Sequence, residues 1–430
     1  MAEELPWAEP AWLSSLESPY YNDSHRRLQA YARKFYDEHV IPHMLEWAEK
    51  GDCPESARAA YRASGLASVD IPREYRPAGA DTVAGIPVDE LDTFHRLILT
   101  DEGSRVEGGA GIALAGGANV IGLPPVVRHG TEAQKRRWLP GALTGATSFC
   151  LGVTEPGGGS DVSAIRTTAR RTADGSRYVV TGTKKWITGS PWATHMTTAV
   201  RTGTAASGAA GISLLVVPLS LPGVSVERIA NSGQGAGGAS WVRLDGVEVP
   251  ADHLLGAEGA GFAHIMANFN GERFVMAVGC NRKARTCLAA ALAYARDRET
   301  FGAPLVGHQV IRHKLVHLAR EVEAHWARLE QIAYHVERRG WRGGDIAGPV
   351  AMAKISGGRL LERAAREAQQ VMGGVAYQRG GPGGGGLVEQ IARDLRMMVV
   401  GGGSEEILGD LAFREEMKTA KSKARARAKL

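Results

Sequence analysis

The chain has 430 residues and a formal net charge of +5; 44% of the residues are hydrophobic and 23% are charged. These are ordinary globular values, so a wholly disordered chain is excluded. Glycine is abundant, with 55 residues, but it follows no Gly-X-Y repeat; collagen is excluded, and glycine is expected in turns and ligand-binding loops. Four cysteines without a CxxC pair exclude a disulfide framework and a structural zinc site, and they favour a reducing compartment.

The predicted elements begin with helices. After an N-terminal extension over residues 1–24, Leu28, Tyr31 and Phe35 recur at helical spacing, so residues 25–150 are predicted to form a helical domain. The first residues are acidic and contain no apolar stretch, and no run of about 18 apolar residues occurs anywhere in the sequence. We therefore expect neither a secretory signal nor a membrane span.

Residues 151–258 are predicted to form a β-domain. Short β-branched runs, as in 178–181 and 212–217, are separated by Gly, Asn and Asp, and Asp174-Gly175 predicts a tight hairpin turn. Long amphipathic helices return over residues 259–415. Their clearest sign is an apolar stripe with largely 3–4 spacing: Ile311, Leu315, Leu318, Val322, Trp326, Leu329 and Val336. Helices, an antiparallel sheet and helices again predict an α+β fold.

Residues 416–430 form a basic tail. It contains six basic residues without an acid after position 417, so the rest of the chain is nearly neutral: Lys418, Lys421, Lys423, Arg425, Arg427 and Lys429. A neutral body, and a tail without aromatic residues, exclude nucleic acid as the expected partner. The last three residues, Ala428-Lys429-Leu430, match the small-basic-Leu form of the peroxisomal address. We expect a peroxisomal location, and otherwise a cytoplasmic one.

Two apparent ligand motifs have a plainer interpretation. Residues 381–386 fit GxGxxG, but they include a proline and follow no predicted strand, so a loop between helices is favoured over a dinucleotide site. His313 and His317 have the spacing of zinc ligands on a helix, but Lys314 stands where a zincin has glutamate, and no third ligand is near. No metal site is predicted.

Two motifs in the β-domain point to chemistry. Residues 154–161 contain three successive glycines, whose N–H groups would approach an anion without obstruction; a plain glycine-rich loop is the alternative. Further on, Trp186 and Thr188 are two apart on a predicted strand and therefore on one side of it. They would hold a flat conjugated ring, and a tryptophan buried in the core is the alternative.

With these two motifs and several others, residues 25–415 resemble the acyl-CoA dehydrogenase flavoprotein family. The family's flavin loop corresponds to residues 151–161, and its G-x-K-x-W-I-T strand to residues 182–188. The remaining matches are the exit from the β-domain at 247–250 and 254–256, the RxxFG…Q pattern of Arg298, Phe301, Gly302 and Gln309, and the closing segments at 370–374, 393–394 and 403–407.

The resemblance implies an N-terminal helical domain, a central β-barrel-like domain and a C-terminal four-helix bundle, with FAD as cofactor. Residues that would line the flavin and its inner phosphate are Leu151, Val153, Thr154, Gly159, Ser160, Trp186, Ile187 and Thr188. Residues that would hold the pyrophosphate and adenosine across a subunit interface are Arg298, Phe301, Gln309, Gln370, Gly373 and Gly374, with Ser404 and Glu406 completing the site. Since the family shares FAD between subunits, a homodimer or homotetramer is implied. Leu151 replaces the family's usual aromatic residue, and Ala376 the last glycine of its GG-x-G turn.

The catalytic base is the sharpest departure from the family. Many members carry glutamate directly before the Gly-Thr/Ser of the last motif, where this chain has Gly402. The isovaleryl-CoA and long-chain branch instead has glutamate before an arginine on an earlier helix, which Glu272-Arg273 matches. Phe269, Glu272 and Met276 are spaced 3 and 4 apart, so Glu272 would project from an apolar stripe, where desolvation would raise its pKa as a general base requires. A structural glutamate paired with the arginine is the alternative.

The resemblance therefore implies FAD-dependent dehydrogenation of an acyl-CoA thioester to the trans-2-enoyl-CoA. Glu272 would take the α-proton, the β-hydride would go to flavin N5, and the substrate would bind near Ser160, Arg273, Gly402 and Gly403. An electron-transferring flavoprotein or oxygen would be the electron acceptor. Two alternatives stay open: a flavin oxidase or monooxygenase on the same scaffold, and a relative that binds acyl-CoA or an acyl carrier without turnover.

Overall fold

The computed structural model describes residues 5–14, 16–341 and 345–427. The chain forms two compact units: Met1–Leu45, Leu91–Gly108 and Asn270–Leu430 make up the first, and Glu46–Glu90 and Gly109–Phe269 make up the second. None of the helices in the described part of the chain is both long enough and apolar enough to span a membrane.

Helices and strands follow the predicted α+β order. The helices are α1 (Ala11–Ser14), α2 (Asp23–His39), α3 (Met44–Lys50), α4 (Glu55–Ala63), α5 (Thr93–Gly103), α6 (Ala110–Ala115), α7 (Asn119–Gly122), α8 (Pro124–His129), α9 (Glu132–Thr144), α10 (Gly261–Asp297), α11 (Gln309–Arg339), α12 (Ala347–Met372), α13 (Gly385–Val400) and α14 (Glu405–Arg427). The strands are β1 (Thr82–Val83), β2 (Ile86–Pro87), β3 (Phe149–Gly152), β4 (Thr168–Arg171), β5 (Arg177–Ile187), β6 (His195–Arg201), β7 (Ile212–Pro218), β8 (Val224–Arg228), β9 (Ser240–Pro250), β10 (Leu254–Leu255), β11 (Glu299–Thr300) and β12 (Ala303–Pro304).

The first unit is a bundle of long helices, α10 to α13, to which α2 and α5 belong as well. The stripe predicted on α11 is confirmed, because all of its members except the half-buried Ile311 are buried. Each of the four bundle helices contributes small and aliphatic side chains to one core: Ala284, Leu288, Leu318, Val322, Leu361, Ala365, Val388 and Ile391. Residues 381–384 lie between α12 and α13, and Gly385 and Gly386 begin α13; the segment follows no strand, as expected.

Helices α2 and α5 begin at matched caps. Asn22 and Asp92 each accept an N–H three residues on, from His25 and His95 respectively, and each of those imidazoles lies within hydrogen-bond distance of its own cap N–H. The two imidazoles stack with their centroids 3.7 Å apart, and His25 Nε2 is 3.1 Å from Asp92 Oδ1. Each histidine therefore serves both as part of its own cap and as a contact between the two helices.

The second unit is built on an eight-stranded sheet, counted over the described residues. Its strand order is β10-β7-β6-β4-β5-β9-β8, and β3 runs parallel to β6 outside this path. The hairpin expected at Asp174-Gly175 joins β4 to β5, with Gly175 at φ +72°. Strand β7 shows why residues 212–217 are uniformly apolar: Leu214 and Val216 pack in one core and Leu215 and Val217 in another. Both faces of this strand are thus buried.

Candidate active site

The glycine-rich loop predicted to bind flavin follows β3 in the second unit. A tight turn opens it, in which Glu155 N–H donates to Gly158 O at 3.0 Å and Gly158 N–H donates back at 3.2 Å. Past this turn Gly159 and Ser160 are exposed, and a Cβ added to Gly159 would meet nothing within 4 Å. Among the described residues, neither of their N–H groups has an acceptor. Two free N–H donors at an open loop fit an anionic group such as the FAD phosphates.

A buried ion pair fixes this loop to β5. Lys184, which is 0% exposed, donates from Nζ to Glu155 Oε1 at 2.8 Å and to Val153 O at 3.1 Å. The carboxylate of Glu155 also accepts the N–H groups of Arg166 at 2.6 Å and Thr167 at 3.0 Å. Burial lowers the pKa of Lys184 to about 8. The charge of Glu155 opposes that shift, and the pair holds the backbone on both sides of Thr154.

Trp186 departs from the alternation expected of a strand. The register between β5 and β9 shifts between Lys184 and Ile187, and Trp186 has φ +64°. The strand ends at Ile187, so the prediction that Trp186 and Thr188 share one face of a strand is wrong: a bulge turns Trp186 out, and Thr188 lies beyond the strand. A left-handed conformation is costly for a bulky residue and is typical of functional sites.

The turned-out indole is available to a planar ligand. Trp186 is 50% exposed, and Lys185 Nζ lies 4.7 Å from its ring centroid and 4.4 Å from that of Trp241. Lys185 N–H donates to Thr154 O at 2.9 Å, which ties the bulge to the glycine loop. The alternative of a core tryptophan does not apply. An exposed aromatic face beside a loop of free N–H groups fits the flavin and phosphate of FAD.

The other predicted flavin residues of this unit differ in what they expose. Val153 and Ile187 are buried in the two apolar cores of the sheet, so only their backbone groups remain for a ligand. Leu151, Thr154 and Thr188 are half-buried.

Glu272 and Arg273, on α10 in the first unit, lie at the loop that joins α13 to α14. Arg273 is buried and donates from Nε to Gly402 O at 2.9 Å. Burial lowers the pKa of Arg273, and the charge of Glu272 opposes that shift, so the carboxylate and the guanidinium interact. Glu272 itself is half-buried. The helix thus presents the predicted base one residue from a direct contact with Gly402.

The glutamate that many family members carry at position 402 would collide with Met276 as this side chain is placed. Gly402 has φ +67°, and a Cβ on it would lie 2.9 Å from Met276 Sδ and 3.7 Å from Arg273 Cγ. Any side chain would need both the left-handed backbone and a displacement of Met276. Of the residues that follow, Gly403 and Ser404 are half-buried and Glu406 is exposed.

The residues predicted to hold the outer part of FAD lie at the opposite end of the bundle. Arg298 and Gln309 are exposed on either side of the β11–β12 hairpin. Its two-residue turn has φ +52° at Phe301 and +77° at Gly302, the signature of a type I′ turn. Phe301 is 100% exposed, which neither its size nor its strained backbone favours in an isolated chain.

The second group of residues predicted to hold the outer part of FAD lies at the same end of the bundle as the first. Gln370, Gly373 and Gly374 end α12 and are exposed, with open space around both glycines. The loop before α13 packs on the last turns of α10, where a Cβ on Gly384 would be 3.3 Å from that of Ala290. At 1.5 Å per residue, Arg273 and the end of α10 are roughly 36 Å apart. The residues near Gly402 and those near Arg298 therefore lie far apart along one chain.

Comparison with known families covers almost the whole chain. Residues 22–146 match the acyl-CoA dehydrogenase N-terminal domain, residues 150–247 the middle domain, and residues 259–416 the C-terminal domain. The boundaries predicted from the sequence, including those of the N-terminal extension and the tail, stay predictions.

Individual proteins agree with the family match. The acyl-CoA dehydrogenase apdG of Emericella nidulans is 40% identical over 98% of both chains. An acyl-CoA dehydrogenase of Alternaria alternata is 40% identical over 96% of both chains. Among solved structures, a probable acyl-CoA dehydrogenase from Mycobacterium abscessus superimposes with a TM-score of 0.81 at 33% identity, covering 91% of this chain and 98% of that one.

Proposed function

Because the chain belongs to the acyl-CoA dehydrogenase family of FAD-dependent oxidoreductases, we propose that it forms the trans-2-enoyl-CoA from a saturated acyl-CoA, with Glu272 as the catalytic base. One observation carries the assignment of the base. Met276 occupies the space at position 402, and Glu272 is next to the residue whose Nε binds Gly402 O. Glutamate at this place matches the isovaleryl-CoA and long-chain branch of the family.

The reaction removes a proton and a hydride from neighbouring carbons. The α-proton goes to a carboxylate oxygen of Glu272, and the electron pair of that C–H bond forms the α,β double bond as the hydride leaves the β-carbon. FAD, when bound, would supply the oxidant for this hydride. As the proton leaves, the thioester oxygen gains enolate charge, which backbone N–H groups at Gly402 and Gly403 would stabilise.

The assembly implied by this function is a homodimer or homotetramer. The proposal is supported by the length of α10, roughly 36 Å from Arg273 to the end that precedes Arg298, and by the fully exposed Phe301 near Arg298. A second copy of the chain would bring the Arg298 end of its bundle to the cofactor of the first. Each FAD would then have residues from two subunits, and a monomer would have only part of each site.

The proposed location is the peroxisome, on the C-terminal tripeptide alone. Ala428-Lys429-Leu430 lies outside the described residues, and the five basic residues between positions 418 and 427 leave the tail before it strongly polar. In that compartment oxygen would be a more accessible electron acceptor than a mitochondrial flavoprotein.

Anaerobic titration of the FAD-bound protein with saturated acyl-CoAs of increasing chain length tests the function. Wild-type protein should lose its oxidised flavin absorbance. Glu272→Gln preserves the size of the side chain, so FAD should still bind while the reduction rate falls by at least the roughly 10²–10⁴-fold that general-base catalysis contributes. Glu227→Gln, at an exposed ion pair with Arg243, is the matched control and should behave as wild type.

The outcomes separate the alternatives. Near wild-type reduction in Glu272→Gln would show that this glutamate is structural. A spectral shift without bleaching in the wild type would indicate a binding protein, and no response to any acyl-CoA would indicate a different substrate.

A further inference from the structure

Lys354, on α12, is a buried cation whose Nζ hydrogen-bonds to backbone carbonyl groups. It is 1% exposed, and its Nζ donates to Gly403 O at 2.9 Å and to Val399 O. Over the described residues no carboxylate oxygen lies within 4 Å of it. A lone ammonium is expensive to bury, so its position calls for a reason beyond packing.

The two carbonyl groups belong to the segment that leads from α13 to α14. Gly401 closes α13 by donating its N–H to Met397 O at 2.8 Å, and Gly402 and Gly403 follow with φ of +67° and +111°. Three consecutive glycines do not prescribe one conformation by themselves. The conformation is fixed from outside, by Arg273 on the carbonyl of Gly402 and by Lys354 on the carbonyl of Gly403.

Fixing the carbonyls also aims the N–H groups. In a trans peptide the C=O and the N–H point in opposite directions. The N–H of Gly403 therefore points away from Arg273, and the N–H of Ser404 points away from Lys354. Within the described residues, neither these two N–H groups nor that of Gly402 has an acceptor. Three donors in a row are thus left for a ligand atom.

The charge of Lys354 has a second effect. Val399 is in the last turn of α13, a helix of 16 residues, whose C-terminal end carries roughly half a negative charge. Without a cation this end would oppose the enolate that develops at the neighbouring donors. The groups that face Lys354 are Cys280 on α10, Arg273, and Glu405 at the start of α14.

We propose that Lys354 is a positioning residue of the dehydrogenation, which holds the Gly402–Ser404 segment with its N–H groups toward the thioester oxygen and offsets the negative end of α13. This inference rests on the proposed function, because the thioester oxygen is the ligand of those donors. Lys354 touches neither substrate nor cofactor, and it acts through the backbone of Gly403 and Val399.

The test uses a ligand whose α-proton is acidic enough to be lost on binding. A 3-oxoacyl-CoA added to the FAD-bound protein forms its enolate, which is followed against pH by the long-wavelength absorbance of enolate stacked on oxidised flavin. Lys354→Met should raise the midpoint pH of enolate formation by one unit or more. Its flavin reduction rate at saturating acyl-CoA should fall by roughly 10- to 100-fold, less than the 10²–10³-fold that loss of a direct oxyanion donor costs. The dissociation constant of the saturated substrate should change by less than about threefold, since no enolate charge has formed in that complex.

Two further variants separate positioning from stability. Lys283, another buried lysine of the bundle, binds Glu107 and the carbonyls of Ser104 and Val106. Lys283→Met should lower the melting temperature and leave the midpoint pH unchanged. Lys354→Gln keeps an N–H donor and loses the charge, so its midpoint should lie between those of wild type and Lys354→Met; it carries the test if the methionine variant does not retain FAD.

A midpoint pH in Lys354→Met within about 0.3 unit of wild type, or an equal shift in Lys283→Met, would overturn this inference and leave the proposed function standing. If the wild type itself neither forms the enolate band nor is reduced by acyl-CoA, the proposed function fails and the inference fails with it.

Discussion

Replacing Lys184 with methionine should destabilise the second unit and loosen the glycine loop together. Lys184 is wholly buried and bridges Glu155 Oε1 at 2.8 Å and Val153 O at 3.1 Å. Methionine matches the apolar stem of lysine, so little packing is lost. The cost comes from Glu155, which keeps its charge inside the protein and loses the cation that balanced it.

Breaking a buried ion pair in this way costs about 3–5 kcal/mol. The lower end of that range applies here, because Glu155 still accepts two backbone N–H groups, from Arg166 at 2.6 Å and Thr167 at 3.0 Å. At about 2–4 °C per kcal/mol for a unit of this size, a loss of about 3 kcal/mol lowers the melting temperature of the second unit by roughly 6–12 °C. The affinity for FAD should fall as well, since Thr154 lies between the two groups that Lys184 holds.

Differential scanning calorimetry at saturating FAD, with a separate FAD titration, measures both effects. The matched control is Arg177→Met on the same strand, whose partner Glu248 is 3.2 Å away with both side chains more than half exposed. Exposed pairs contribute about 0–1 kcal/mol, so this control should shift the melting temperature by no more than about 4 °C. Equal shifts in the two variants would refute the reasoning that burial makes the Lys184 pair important.

Three further predictions concern acid stability, assembly and location. Burial alone would raise the pKa of Glu9, but Arg282 and Arg33 outweigh burial and lower the pKa to about 2. The stability that Glu9 contributes to the folded chain is therefore complete above its unfolded pKa of about 4.3 and is lost as the pH falls toward 2. Glu9→Gln should flatten this acid dependence of stability, which circular dichroism measures. Phe301→Ser should leave the melting behaviour of the bundle unchanged and weaken subunit association in analytical ultracentrifugation, and an unchanged sedimentation coefficient at low concentration would contradict the proposed contact. A fluorescent fusion with a free C-terminus should be punctate and should become diffuse when residues 428–430 are deleted; a mitochondrial signal from the intact chain would show that the tripeptide match is accidental.

The local patterns of the sequence predicted most of the fold. The stripe on α11 continues over many turns, and its period fixes the face that is buried. The hairpin at Asp174-Gly175 needed only a turn signal between two strand-forming runs. In such elements the information lies within a few residues, so tertiary contacts had little to overrule.

Long-range contacts of charged residues were not predictable in the same way. Lys184 and Lys354 look like ordinary solvated lysines in the sequence, yet both are almost fully buried. Their partners are 29 and 49 residues away, and no periodicity relates such positions. The prediction for Trp186 was wrong for a related reason. Whether β5 continues regularly depends on its pairing with β9, and the register of that pairing shifts near Trp186.

The two glycine loops show why such residues matter for the site. A loop that is to present bare N–H groups needs glycine for access, but glycine leaves its conformation undetermined. In both loops, buried cations on other elements bind the carbonyl groups: Lys184 at Val153, Arg273 at Gly402, and Lys354 at Gly403. Because a peptide points its N–H opposite to its C=O, fixing the carbonyl toward the interior leaves the donors facing outward. In the loop after α13 the donors fixed in this way are the N–H groups of Gly403 and Ser404. In the loop after β3, Lys184 fixes the N–H of Thr154, and the Glu155–Gly158 turn fixes that of Gly159.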